Sequence, residues 1–113
     1  MNIQTEKYQV TYDPPSATMT CKGSFRLHTP EYNEILSEMN QSADTAEDTL
    51  ILDIRELRFL NSSGINWLYK FVRHVRDRQA GQLTVLGSRR VPWQMKTLRN
   101  LEKLWPGLQL EME

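Results

Sequence analysis

The sequence predicts an α/β fold with a mixed, mostly parallel sheet of about five strands, an N-terminal hairpin and three main helices. Apolar and polar residues alternate in the first part of the chain, which is typical of half-buried strands. Further along, short apolar runs alternate with segments of helical spacing, which favours parallel strands joined by right-handed crossover helices. The chain has 113 residues, and we expect one domain over residues 1–113.

The hairpin is predicted from two alternating segments, 8–12 and 18–27, on either side of Asp-Pro-Pro-Ser-Ala at 13–17. That linker is a strong turn signal because proline fixes φ and withholds a hydrogen-bond donor. A helix is expected to follow, with a capping hydroxyl from Thr29 and Pro30 in its first turn.

The rest of the chain predicts three more strands and two more helices. The apolar run at 49–54 is typical of an inner strand with both faces covered. The remaining elements are a polar loop at 41–48, a helix of about 15 residues that follows residues 61–64 and ends before Gly81, a strand at 82–86, a helix from Val91 to Leu104 and a short strand at 108–112.

Composition excludes several classes of protein. A single cysteine, Cys21, rules out an intramolecular disulfide and a multi-cysteine zinc site. Neither a signal peptide nor an apolar run of ~18 residues is visible, so we expect a cytoplasmic protein without membrane insertion. His28 and His74 stand far apart without ligands at suitable spacing, so neither a metal nor another cofactor is expected, and no catalytic motif is present.

Charge is distributed unevenly although 14 basic residues balance 14 acidic ones. Residues 1–57 hold ten carboxylates and four bases, whereas residues 58–103 hold ten bases and two carboxylates. The basic half can serve an acidic partner, or its bases can be the solvated faces of helices. No nucleic-acid-binding motif accompanies them, so we expect no nucleic-acid partner.

Two serines and a glycine stand where an apolar strand gives way to a helix, in the segment Asn61-Ser62-Ser63-Gly64. A helix start has unpaired N–H groups and a partial positive charge. Ser62 or Ser63 can cap it, and Gly64 permits a close approach of the backbone. The same geometry would stabilise a phosphate on the serine, or an anion brought by a partner. Plain capping is the alternative.

This segment, the amphipathic helix, Gly81 and the closing Asn-Leu-Glu-Lys-Leu-Trp-Pro at 100–106 together resemble the STAS domain of bacterial anti-sigma factor antagonists. The resemblance covers roughly residues 8–110 and implies a STAS-like fold. It also implies that Ser62, or alternatively Ser63, is phosphorylated by a partner serine kinase.

In that family the kinase is also the anti-sigma factor, an ATPase of the histidine-kinase-like type. The unphosphorylated antagonist binds it and frees a sigma factor for transcription, and the phosphorylated antagonist lets go. A PP2C-type phosphatase resets the switch. The resemblance therefore implies a binding protein that takes part in signal transduction, and not an enzyme.

Two positions depart from the family pattern, because Asn61 and Arg26 stand where aspartates are usual. Together the two changes move the local charge by about +3, which would weaken the repulsion of a phosphate on Ser62 if both lie near it. Our hypothesis is that this variant retains the phosphorylated state better or serves a different kinase. The alternative is that Arg26 is exposed and the change is drift.

The predicted partner surface comprises Arg26, residues 61–64 and three residues of the following helix, Asn66, Trp67 and Lys70. In that helix Leu68, Tyr69, Val72 and Val75 form an inward stripe, and Trp67 and Phe71 widen the apolar arc. We expect Phe71 in the core and Trp67 on the partner surface.

Two other functions remain open. The chain can be a STAS adaptor that is never phosphorylated, such as a subunit that braces a transporter ATPase, in which Ser62 only caps a helix. It can also be a nucleotide- or anion-sensing domain that uses the same helix start. The fold does not choose among these functions.

Overall fold

The computed structural model describes residues 1–78 and 81–113. Within these residues the chain forms seven strands and three helices, and the five predicted strands and three predicted helices follow one another in the expected order. They are β1 (Asn2–Gln4), β2 (Tyr8–Asp13), β3 (Thr18–Phe25), α1 (Thr29–Asp44), β4 (Thr49–Asp53), β5 (Leu57–Leu60), α2 (Ser62–Asp77), β6 (Gln82–Gly87), α3 (Gln94–Leu104) and β7 (Gln109–Met112).

One mixed sheet contains all of these strands, in the order β1-β2-β3-β4-β6-β7. The pairs β1–β2 and β2–β3 are antiparallel, and β3–β4, β4–β6 and β6–β7 are parallel. β5 runs parallel to β3 beyond the end of β4. The first part of β3 therefore pairs with β4, and its last part pairs with β5. The α/β class, the N-terminal hairpin and the mostly parallel sheet are confirmed. β1 and β5, both short, are the strands that the sequence pattern missed.

The core lies on one face of the sheet. Met19 and Cys21 of β3 and Leu50 and Leu52 of β4 are at most 1% exposed, whereas the residues between them are half-buried. Each parallel strand after β3 is added on the same side of the preceding one, in the order β3, β4, β6 and β7. Right-handed crossovers between them therefore place all three helices on the same face of the sheet. The prediction that both faces of residues 49–54 are covered is therefore wrong. Burial also raises the pKa of the Cys21 thiol to about 12.

Helix ends differ from the predictions by a few residues. The N-cap of α1 is His28 rather than Thr29, and the Glu31 carboxylate accepts a hydrogen bond from the His28 N–H at 3.1 Å. α1 continues to Asp44, because its last turns still bury apolar side chains, so the loop predicted at 41–48 begins later.

The other two helices compare differently with their predictions. α2 has 16 residues and ends at Asp77, as the prediction of about 15 residues ending before Gly81 requires, and residues 79 and 80 lie outside the described chain. α3 begins at Gln94 rather than Val91, because residues 91–93 form a turn.

An ion pair fixes the turn between β4 and β5. Arg55 donates from Nε to Asp53 Oδ1 at 2.9 Å and from Nη2 to Oδ2 at 2.8 Å, and its backbone N–H also donates to Oδ1. Burial acts to raise the pKa of Asp53, but the hydrogen bonds and charge of Arg55 outweigh it and hold that pKa below its usual value. The pair therefore stabilises the turn while Asp53 is ionised.

We predict a pH-dependent effect of Asp53→Asn. Because the folded-state pKa is depressed, the stabilisation is present above the unfolded pKa of about 3.9 and is lost as the pH falls through the folded-state value. The variant should lose about 1 kcal/mol of unfolding free energy at pH 7. Urea unfolding between pH 7 and pH 2 should show that difference shrinking in acid. A difference that stays constant would contradict the role assigned to the ion pair.

Candidate functional site

The site is built around the start of α2, where Asn61 is the N-cap residue. Its backbone is extended, with φ −79° and ψ 177°, and its side-chain Oδ1 accepts a hydrogen bond from the Gly64 N–H at 3.0 Å. This is the geometry of a side-chain cap. The prediction that Ser62 or Ser63 caps the helix is therefore wrong, because Asn61 already does so.

Asn61 also joins three other parts of the chain. Its Nδ2 donates to the Leu27 carbonyl at 3.0 Å, and its backbone N–H donates to the Phe25 carbonyl at 3.3 Å. The Tyr32 hydroxyl of α1 lies 2.6 Å from Asn61 Oδ1 and 3.1 Å from the Phe25 carbonyl oxygen, so its proton is shared between two acceptors. Burial raises the pKa of Tyr32, which keeps the phenol protonated. We call this set of hydrogen bonds the Asn61 hub.

The hub explains two residues of the motif. An aspartate at position 61 would keep the cap, but an ionised carboxylate cannot donate to the Leu27 carbonyl as the amide does. Gly64 is required by space, since a Cβ there would lie 2.5 Å from the Tyr32 hydroxyl and 2.3 Å from Leu60 Cδ1. The close approach expected at Gly64 is therefore between the backbone of α2 and the side chains of Leu60 and Tyr32.

Ser62 is exposed and is the first residue of α2, whereas Ser63 is half-buried. Within residues 1–78 and 81–113, the Ser62 hydroxyl has no hydrogen-bond partner and the N–H groups of Ser62 and Ser63 have no acceptor. No acidic residue stands in the first turn. The helix start is therefore electropositive, with a solvent-facing hydroxyl that has no structural role.

The surface that continues from Ser62 along α2 is polar and basic. At about 100° per residue, Asn66, Tyr69, Lys70 and Arg73 lie on the same side of the helix as Ser62. Asn66 and Arg73 are exposed, and Tyr69 and Lys70 are half-buried. Lys70 and Arg73 have no carboxylate within salt-bridge distance in the described part of the chain. We call these five residues the α2 outer face.

Asn66 and Lys70 were predicted for this face, whereas Tyr69 and Arg73 were missed. Tyr69 packs partly against the core, as the inward stripe predicts, and it also lies with Arg73, Asn100 and Leu104 around a small groove between α2 and α3. The sequence signal that could have identified Arg73 is its helical spacing of three residues from Lys70, another base.

Trp67 is in the core, and its predicted place on the partner surface is wrong. It is 2% exposed. Its ring centroid lies 5.3 Å from that of Phe25 and 5.4 Å from that of Tyr32. The packing of α1 against α2 covers this part of the wide apolar arc. Phe71, by contrast, is buried as predicted.

Arg26 lies at the same sheet edge as Asn61. Phe25 and Leu60, the last residues of β3 and β5, are opposite each other in the register, and Arg26 and Asn61 follow them. The Arg26 guanidinium carbon is 4.1 Å from the centre of the Phe59 ring, a cation–π contact. The structure therefore brings the two departures from the family pattern together.

Metal and membrane features are not part of this site. The described residues contain no group of three or more His, Cys, Asp or Glu side chains placed to hold a metal ion. His74 pairs instead with Asp44, at 2.8 Å between Nε2 and Oδ1. None of the described helices combines the length and the apolar character that crossing a membrane requires.

No protein-family model matches the sequence, and no curated protein matches it significantly. Solved structures do match its fold. Pseudomonas aeruginosa SiaC, in complex with the diguanylate cyclase SiaD that it activates, aligns with a TM-score of 0.72 and 13% identity, over 99% of this chain and 97% of its own.

Two other structures of SiaC from the same organism agree. One aligns with a TM-score of 0.70 and 12% identity, over 100% of this chain and 96% of its own. Apo-SiaC gives 0.67 and 10%, over 100% and 98%. The chain is thus similar to SiaC in fold over nearly its whole length, and the STAS-like fold is confirmed. Membership of the anti-sigma factor antagonist family stays a prediction.

We predict that Asn61, and not Ser62, stabilises the start of α2. Asn61→Ala should lower the unfolding free energy by about 2 kcal/mol, because it removes the cap and leaves the Leu27 carbonyl unpaired. Asn61→Asp should lose less, since it keeps the cap. Ser62→Ala should change stability by less than about 0.5 kcal/mol. Urea unfolding measures all three, and a larger loss for Ser62→Ala than for Asn61→Ala would contradict this assignment.

Proposed function

We propose that the protein is a partner-switching regulator that binds another protein through the α2 outer face and is controlled by phosphorylation of Ser62. It acts by binding and not by catalysis. The observation that carries the proposal is the exposed Ser62 hydroxyl at a helix start that Asn61 already caps. A serine that is not needed for capping can be modified without dismantling the fold.

The surroundings of Ser62 suit a phosphate chemically. A phosphoserine carries a charge of about −1.5 to −2 and strong acceptor oxygens. The N–H groups of Ser62 and Ser63 lie at the positive end of the helix dipole and have no acceptor among the described residues. Anions at such a position gain about 0.3–1 kcal/mol. The folded domain would therefore accept the phosphate.

The same phosphate would change the charge of the α2 outer face. Lys70 and Arg73 make that face basic, so the complementary partner surface is acidic. A phosphate on Ser62 would face those acidic groups at the edge of the interface. Like-charge repulsion then explains release of the partner, whereas an unmodified serine permits binding.

The proposed partners follow from the STAS resemblance and from SiaC. The resemblance supports a serine kinase of the histidine-kinase-like ATPase type that is also an anti-sigma factor, with a PP2C-type phosphatase to reset Ser62. The SiaC complex supports an enzyme as the bound partner, a diguanylate cyclase in that case. We place the protein in the bacterial cytoplasm, where it controls transcription or the activity of a partner enzyme.

Asn61 and Arg26 set this chain apart from the usual pattern, and we propose that they favour the phosphorylated state. Asn61 is neutral and Arg26 is positively charged, so neither residue would repel a phosphate on Ser62 as an aspartate would. Under the alternative of a constitutive adaptor, Ser62 is never modified and its substitution changes nothing. Under the alternative of an anion sensor at this helix start, a free anion replaces the phosphate.

We predict opposite effects of two substitutions on partner binding. In pull-downs from the native host, Ser62→Ala should retain the partner found with the wild-type protein, and Ser62→Asp should lose at least ten-fold of it. Ser63→Ala and Ser63→Asp are the matched controls and should both bind. Intact mass of the protein isolated from that host should show a phosphate adduct that Ser62→Ala lacks.

Equal capture by the Ser62→Ala and Ser62→Asp variants, with no adduct on the wild-type protein, would favour the constitutive adaptor. Loss of binding in Ser63→Asp alone would move the switch to Ser63.

A further inference from the structure

A second feature of the surface is a groove of about 890 Å³ at the carboxyl ends of the parallel strands. Arg55 and Glu56 from the β4–β5 turn and Arg58 of β5 line one side. Ser88 and Arg90, which follow β6, line the other. Ligands of open α/β sheets bind outside the carboxyl ends of the strands, and this volume is within the usual range of small-molecule sites.

The groove has a rigid wall. Gln94 is fully buried, and its Nε2 donates to the carbonyls of Ile54 at 2.6 Å and Leu57 at 3.1 Å, while its Oε1 accepts from the Ser88 N–H at 2.8 Å. Trp93 Nε1 donates to the same Leu57 carbonyl at 3.2 Å. These bonds fix the segment after β6 against β5, so the groove is formed before any ligand enters.

Its arginines are only partly compensated. Arg55 is held by Asp53 and by Glu113, whose Oε1 lies 3.1 Å from Nη1. Arg58 and Arg90 are exposed and have no carboxylate within salt-bridge distance in residues 1–78 and 81–113. The Arg90 N–H donates to Ser88 Oγ at 3.2 Å, which restrains the backbone of its loop. Guanidinium donors from both sides therefore border one preformed groove.

We propose that this groove binds a compact polyanion with two or more phosphate groups. The planar fork of an arginine matches two oxygens of a phosphate, and arginines on both sides of a groove can bind successive phosphates. Glu113 already occupies Arg55, and Lys22 pairs with Glu56 at 3.2 Å, so Arg58 and Arg90 are the guanidinium groups of the described lining that have no carboxylate partner. The described lining of the groove includes no aromatic ring for base stacking. The ligand is therefore recognised by its phosphates, which a nucleotide or an inorganic polyphosphate can supply.

This site is separate from the switch at Ser62 and does not depend on it. Arg58 belongs to β5 and the other lining residues follow β4, β6 and β7, whereas Ser62 begins α2. A failure of polyanion binding would leave the proposed switch standing, and a failure of the switch would leave the groove.

The test is calorimetric titration of the whole protein with inorganic tripolyphosphate, and separately with ATP, at low salt. We expect binding of tripolyphosphate, and loss of at least ten-fold in affinity in the double variant Arg58→Ala/Arg90→Ala. The control is Arg99→Ala/Lys103→Ala, which removes two exposed basic residues from α3 and should stay within two-fold of the wild type. ATP binding at equal or lower affinity would identify the phosphates as the recognised group.

Three results would overturn the proposal. They are an absence of tripolyphosphate binding at millimolar concentration, an equal loss of affinity in both double variants, and equal binding of citrate, a carboxylate anion of comparable charge. Urea unfolding of the variants shows whether they are folded, which separates a lost site from a lost structure.

Discussion

Four parts of the chain meet at Asn61, and the arrangement of the site depends on its hydrogen bonds. Its backbone N–H binds the end of β3, and its side-chain amide links the loop at Leu27, the first helix through Tyr32 and the first turn of α2. Below it, the rings of Phe25, Tyr32 and Trp67 pack together. Polar and aromatic contacts thus position the same helix start, so the Ser62 hydroxyl is presented by a rigid support.

That support also bears on how the proposed phosphorylation of Ser62 would change binding. The hub supplies the cap, so a new charge on Ser62 meets an intact helix and need not melt it. The effect is then electrostatic, on a face where basic side chains continue along the helix. Such a switch alters recognition with little change of shape, which suits a domain whose core is continuous beneath the site.

The sequence was sufficient for the fold class, because alternation and helical spacing report directly which side of an element is buried. It also identified the segment from Asn61 to Gly64. It did not identify Asn61 as the cap, because three adjacent residues could cap equally well and only Tyr32 and Leu27, distant in sequence, decide among them. Trp67 was misplaced for a similar reason: its burial results from the packing of α1, which helical periodicity does not contain. The groove beside Gln94 was invisible because its arginines are brought together by separate crossovers.

Cys21 has a practical consequence for experiments on this chain. Its thiol is 1% exposed, and with a pKa of about 12 almost none of it is the nucleophilic thiolate at neutral pH. Maleimides and similar reagents should therefore leave it untouched in the folded protein. A cysteine introduced at an exposed position of α2 would be labelled selectively, with the native cysteine kept in place. A fluorescent reporter can therefore be attached beside the proposed partner surface while the core stays intact.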